Sequence, residues 1–301
     1  MNKRVVVLLV ICLAFISLQG VALFAQDAQG DHGKPEPPMA GVHWAKGQQP
    51  GKGGGGSSPN LNWYGGSIMQ SVTVRPIFWG PSWGSLSFAG DKVTGLTTFY
   101  TDMSGSTYAN TTNEFYDSSN HVGSTISVGT SVVDLSPATG GSQTSPILNE
   151  VCKSISSPVA NGYYPVYTDV RRGSAGYCAW HSAGSCGATP VQFAFFFNLD
   201  GDIGCDPQDS LSGHSQGLAA LANVSGHELS EARTDPRLNA WMDRQGSENS
   251  DKCAWSFGSP LLTFSDGNKW KVQGNWSNYA YSHSTGYPNL NGQKGCIDSS
   301  N

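Results

Sequence analysis

Apolar and polar positions alternate along Ser71–Trp79 (SVTVRPIFW), with β-branched residues at the apolar points. That period of two predicts a strand with one buried face. Pro76 has no backbone N–H to give a ladder, so the strand lies at an edge or carries an irregularity there. Ser124–Leu135 (STISVGTSVVDL) and Tyr164–Val170 (YPVYTDV) read as strands on the same grounds. Pro190–Asn198 (PVQFAFFFN) is apolar on both faces, the pattern of a central strand. A helical period replaces the alternation in three places. Asp91–Met103 can form a helix, with Gly95 counting against it. Ser145–Ile155 places Ile147, Leu148, Val151 and Ile155 on one face, with Ser145 as a candidate cap. Ser212–Thr234 is the strongest helix: Leu218, Leu221, Ala222, Leu229 and Ala232 form one apolar stripe. His227 and Glu231 fall roughly opposite that stripe, and Pro236 stops the helix near Asp235. The fold class expected is α/β or α+β, a mixed sheet backing the long helix, followed by a loop-rich, tryptophan-rich C-terminal third.

Composition changes this picture at the N-terminus. Residues 1–25 (MNKRVVVLLVICLAFISLQGVALFA) have a basic start, an apolar run and small residues, as in a secretory signal cleaved after Ala22 or Ala25. A retained anchor is the alternative. Residues 26–60 contain GKPEPP and GQQPGKGGGGSSP with almost no apolar period, and read as a disordered linker ahead of a single domain over 61–301. Cys12 leaves with the signal. Six cysteines remain, Cys152, Cys178, Cys186, Cys205, Cys253 and Cys296, which in an exported chain implies up to three disulfides of unspecified connectivity. Charged residues are 13% and the net charge is −5. No basic run exists, which gives no support to nucleic acid or acidic lipid as partners. The expected setting is extracellular, with no membrane contact once the signal is removed.

Candidate chemistry centres on His227-Glu228-Leu229-Ser230-Glu231. Residues four apart on a helix share a face one turn apart, so His227 and Glu231 can present two ligands to one metal ion. Glu228, between them, is free to act as a base toward water. A catalytic zinc wants three protein ligands and an open position. Asp251 and Glu248 both follow within one return segment, next to Cys253, and either can be the third. Asp235 is a further candidate, as ligand or as the acceptor that orients His227. In the zinc-peptidase motif H-E-x-x-H the second ligand is histidine, whereas this chain has a carboxylate. The competing reading is a solvated helix face, with Glu228 paired to Arg233 or Arg237.

Other constellations carry weaker signals. Asn198, Asp200, Asp202 and Asp206 alternate through a glycine-containing loop, as calcium ligands do, but no glycine stands at the sixth position. Cys178 and Cys186 flank His181 on what reads as a short loop, where a disulfide outweighs a zinc knuckle; His181 remains a candidate cleft residue or further ligand. His214 is similar. Glu228 with Asp251 or Asp235 could form a glycosidase acid pair. Trp255, Trp270 and Trp276 could form a sugar-stacking surface, although such residues more often pack the core. No G-x-S-x-G elbow occurs. Asn110, Asn223 and Asn275 match the glycosylation pattern, with Asn223 inside the predicted helix.

Tyr164–Val170 followed by Gly176-Tyr177-Cys178, the small-residue helix ending in Thr234-Asp235-Pro236, and the Glu248…Cys253 stretch resemble segments of the phosphate-induced protein 1 (EXORDIUM-like) family. The resemblance spans roughly residue 60 to the C-terminus but rests on these patches. It implies a secreted protein and leaves activity open. The spacing of Cys178 and Cys186 is wider than in the plant members, and those members lack the His-Glu pair. The chain therefore resembles a microbial branch whose helix is similar to the active-site helix of zincin metallopeptidases. Two expectations follow: a secreted zinc-dependent hydrolase, most simply a peptidase with Glu228 as general base; or a non-catalytic EXORDIUM-like module binding a wall polysaccharide or surface partner.

Overall fold

The computed structural model describes residues 36–50 and 59–299. The signal expected over 1–25 and the glycine-rich run at 51–58 lie outside the described residues.

The alternating segments pair into one eight-stranded mixed sheet. Its strands in chain order are β1 (Ala40–Trp44), β2 (Ser71–Val74), β3 (Ile77–Trp79), β4 (Thr125–Val128), β5 (Val132–Asp134), β6 (Gly162–Arg171), β7 (Tyr177–Cys186) and β8 (Thr189–Asn198). The order across the sheet is β1–β7–β8–β6–β2–β4, with β3 lying between β6 and β5. Pairs on the β6 side are parallel, whereas β7 runs antiparallel to both β8 and β1. The missing donor of Pro76 shows as the break between β2 and β3. Strand β8 is buried from Val191 to Asn198, as its unbroken apolar run requires.

Three longer helices accompany the sheet: α1 (Lys92–Met103), α2 (Ser145–Ser154) and α3 (Gln216–Thr234). Helix α3 begins after Ser215, whose hydroxyl accepts from the Leu218 N–H at 3.2 Å. Ser212, where the apolar period starts, instead folds back on Asp209. Helix α3 packs against α1, β1, β7 and β8.

Helix α3 differs from its sequence reading in one respect: it is buried all round, from Gly217 to Thr234. Its polar side is covered by the C-terminal third, which supplies hydrogen-bond partners in place of water. The Asn223 side-chain oxygen accepts from the Gln273 N–H (2.8 Å), Asn275 Nδ2 donates to Ser230 Oγ (3.2 Å) and Asn249 Nδ2 to Thr234 Oγ1 (2.9 Å). Burial of these groups is tolerable because they are paired. Asn223 and Asn275 are fully buried, so neither can carry a glycan in the folded protein.

Three further differences matter for the site. His181 is not on a loop but in the middle of β7, because Cys178 and Cys186 bond elsewhere: the disulfides are Cys152–Cys186, Cys178–Cys205 and Cys253–Cys296. Within the span that reads as a linker, Ala40–Trp44 is an ordered strand with Gly41 and His43 facing inward. Its inward positions are a glycine and a histidine, so no apolar alternation announced it. Trp255, Trp270 and Trp276 are buried, not a stacking surface. No helix among the described residues is long and apolar enough to cross a membrane.

Candidate metal centre

Helix α3 sets His227 and Glu231 one turn apart, with His227 Nε2 at 3.3 Å from Glu231 Oε2. Asp251 enters from the turn Asp251–Cys253, tied down by the Cys253–Cys296 disulfide. Its carboxylate stands 3.7 Å from His227 Nε2. The Asp251 N–H donates to Glu231 Oε1 at 2.8 Å, which fixes that carboxylate and turns Oε2 toward the histidines. Strand β7 adds His181, whose Nε2 is 3.6 Å from Glu231 Oε2 and 3.2 Å from Glu248 Oε1. Glu248 is one step further out, and its N–H donates to Asp251 Oδ2. Two groups with mutually close ligand atoms result, all within 4.8 Å of one another in each: His227, Glu231 and Asp251; and His181, Glu228 and Glu231.

The donor atoms fit a cation better than they fit one another. His227 Nε2, Glu231 Oε2, Glu248 Oε2 and both Glu228 oxygens are buried and outside hydrogen-bond geometry, although the Gly41 carbonyl faces the His227 ring and the His43 N–H faces the Glu228 carboxylate. Leaving a buried polar atom unpaired costs about 1–3 kcal/mol, more if charged, so five in one place need a reason. The spacings of 3.3 and 3.6 Å from Glu231 Oε2 to His227 and His181, and of 3.7 Å from His227 Nε2 to Asp251, are long for hydrogen bonds. Four ligands about 2.0–2.1 Å from a tetrahedral zinc stand about 3.4 Å apart. A Cβ added to Gly41 would fall 2.1 Å from Glu231 Oε2 and 2.3 Å from His181 Nε2, so the donors form a cradle of metal-ligand dimensions.

Gln273 controls the proton on His227. Its Oε1 accepts from the Trp255 N–H and pairs with His43 Nε2 (2.9 Å), and its Nε2 donates to the Ser250 carbonyl and faces His227 Nδ1 at 3.0 Å. In that setting a neutral His227 carries its proton on Nε2, pointed at Glu231 and Asp251. A cation on Nε2 requires the proton on Nδ1, and hence a reversed Gln273 amide.

Burial dominates the ionisation of the cluster. It drives the Glu231 carboxyl up to about 7, against the attraction of His181. Burial, then neighbouring carboxylates, pushes Glu228 and Glu248 well above the usual carboxylate range. Burial lowers His227 to about 4, with Asp251 opposing, and lowers His181 and His43 as well. Without a cation, the acids therefore tend to hold protons and the imidazoles are neutral. A divalent cation would reverse the first tendency by favouring carboxylate.

The remaining sequence candidates do not join the cluster. Asp235 Oδ1 accepts from the Asn239 and Ala240 N–H groups and so caps the turn after α3. In the Asn198–Asp206 loop, Lys92 takes Asp200, and Arg172 grips Asp202 with two hydrogen bonds. The cations that loop needs are thus supplied by side chains, and none of its acids is in either candidate group. His214 stacks on Trp270 with ring centroids 4.1 Å apart. The disulfides leave no Cys–His knuckle at His181. Arg233 donates to the Ala109 and Gly123 carbonyls, so it is not a counter-ion for Glu228.

Gly41, His43 and Gln273 were not visible as site residues in the sequence. Nothing local marks them; a lone histidine in a Pro/Gly-rich stretch is no motif. No protein-family model matches the chain, and no curated protein matches it.

Proposed function

We propose that this protein is a secreted metal-dependent hydrolase, a zinc peptidase in which His227, Glu231 and Asp251 hold the ion and Glu228 is the general base. The observation that carries the reading is the convergence of ligand atoms from His227, Glu231 and Asp251 within 4.8 Å of one another, with His227 Nε2 and Glu231 Oε2 buried and outside any hydrogen bond. Zinc suits a set containing imidazole, whereas calcium prefers six to eight oxygens. Glu248, hydrogen-bonded to His181, acts as an outer acceptor and not as the third ligand. Three disulfides support an extracellular setting.

A bound zinc ion would supply Lewis acidity, polarising a carbonyl and acidifying water. Glu228 receives the proton that water gives up as its oxygen bonds to the carbonyl carbon. Its burial favours the protonated form, and it then delivers that proton to the amide nitrogen as the C–N bond breaks. His181, 3.6 Å from Glu231 Oε2 and hydrogen-bonded to Glu248, holds a second imidazole beside the centre.

Elemental analysis of the purified protein tests the metal, with about one zinc per chain expected. Glu228→Gln should retain that zinc and lose peptidase activity by at least a hundredfold. No bound metal, or an unchanged rate in Glu228→Gln, would sink the proposal. The polysaccharide-binding alternative took its motive from the aromatic C-terminal third, in which Trp255, Trp270 and Trp276 are buried and offer no stacking surface.

A further inference from the structure

Strand β1 lies where an incoming peptide would have to lie. It is the edge of the sheet, antiparallel to β7, and its register slips between Ala40 and His43, placing one extra residue opposite β7. That bulge turns Gly41 onto the candidate centre. Position 41 accepts only glycine for two independent reasons. Its φ is +51°, and any Cβ would collide with Glu231 and His181. The Gly41 carbonyl bears on the His227 ring, and the His43 N–H bears on the Glu228 carboxylate. The His43 ring fills a slot between His227 and Trp255, at centroid distances of 4.4 and 4.7 Å, and bonds Gln273.

Completing a sheet edge requires none of these contacts with an acid-histidine cluster. They are the contacts a bound peptide makes: backbone pairing to an edge strand, one carbonyl at the reactive centre and one side chain in a pocket. The segment is held at both ends. Glu36 accepts from the Thr144 and Ser145 N–H groups at the start of α2, and Lys46 donates to the Gly204 and Asp206 carbonyls. The sequence GKGGGG follows it at 51–56.

We propose that β1 is a tethered occupant of the peptide groove. The groove takes an extended peptide antiparallel to Tyr177–Cys186, with glycine over the centre and a flat ring two residues later in the His227–Trp255 slot. The segment 36–46 keeps the site closed until it is displaced. The proposal rests on the peptidase reading for what the site does to such a peptide, but peptide binding in the groove does not require the metal.

The test uses the full chain with a site-specific protease sequence replacing residues 52–57, so that one cut severs β1 from the body. The probe is a fluorescent peptide of residues 36–46, read by anisotropy, beside the same peptide carrying Gly41→Ala. The uncut protein should bind neither. The cut protein should exchange its own segment for the glycine peptide and bind the alanine version at least tenfold more weakly. In the uncut chain, Gly41→Ala should speed Co²⁺ uptake at least tenfold, followed by its visible absorption. If that variant does not fold, the cut protein decides alone. Equal binding by cut and uncut forms, a severed segment that never exchanges, or equal affinity for the two peptides overturns the inference. Failure of the metal reading shows separately, as absence of bound Zn²⁺ or Co²⁺ in every form while peptide exchange persists.

Discussion

Among single residues, Gln273 decides whether His227 presents a lone pair or a proton to the centre. Its amide as placed favours the proton on Nε2. An acceptor there would hold the proton on Nδ1 and free Nε2 for the ion. Gln273→Glu should therefore tighten zinc binding by about tenfold, the low end of what such outer partners contribute, measured by competition with a chromophoric chelator. Unchanged or weaker binding would show that the proton is placed by something else. His227 and Glu231 were legible from helical spacing, and Asp251 only as one of two alternatives with Glu248, because the nearby cysteine constrains the segment and not the residue. His181 was visible only as a candidate, and its strand was read as a loop because two cysteines and several small residues obscured the alternation. Gly41 and Gln273 enter the centre only through tertiary contacts, which no local pattern records.

Whole elements carry a second lesson, in helix α3 and its neighbour α1. Gly95 weakened the sequence reading of α1, yet the helix forms over Lys92–Met103. The reason is across the interface: a Cβ on Gly95 would fall 2.3 Å from Leu218 Cδ2, and Leu218 is buried. Gly95→Ala should thus destabilise by about 1–3 kcal/mol through overpacking, although helix propensity alone predicts a gain of about 1 kcal/mol. Urea denaturation gives the sign directly. The all-round burial of α3 was not legible, since an apolar stripe with polar residues opposite is also what a surface helix shows. Only the third of the chain that follows it, rich in Asn, Gln and Ser, reveals that the polar face is covered by protein and hydrogen-bonded in part, not solvated. The Cys253–Cys296 disulfide holds that cover beside Asp251. Replacing both cysteines by serine should cost about 2–4 kcal/mol of stability and weaken zinc binding at least tenfold. A stability loss with unchanged metal affinity would separate the disulfide from the centre.

For the molecule as a whole, the buried acids and histidines make stability depend on pH in a way that metal should reverse. In the metal-free protein Glu231 is raised from 4.5 to about 7, and Glu228 and Glu248 move the same way. The folded state then binds more protons than the unfolded one, so their contribution is present at low pH and is lost as pH rises through the folded values. His227 is lowered from 6.5 to about 4, so its contribution is present above 6.5 and is lost as pH falls toward 4. His43 and His181 share that sign. The two families oppose each other up to about pH 7.5, one unit above the unfolded histidine value; beyond that the histidines are neutral in both states and only the acids still change. From about pH 7.5 to 9 the metal-free protein should therefore lose melting temperature. Zinc favours the carboxylates and makes their ionisation part of binding, so the zinc-loaded protein should hold its melting temperature over the same range. The gap between the two curves widens with pH if the centre binds metal. Parallel curves with and without zinc would mean that these acids and histidines serve the fold alone.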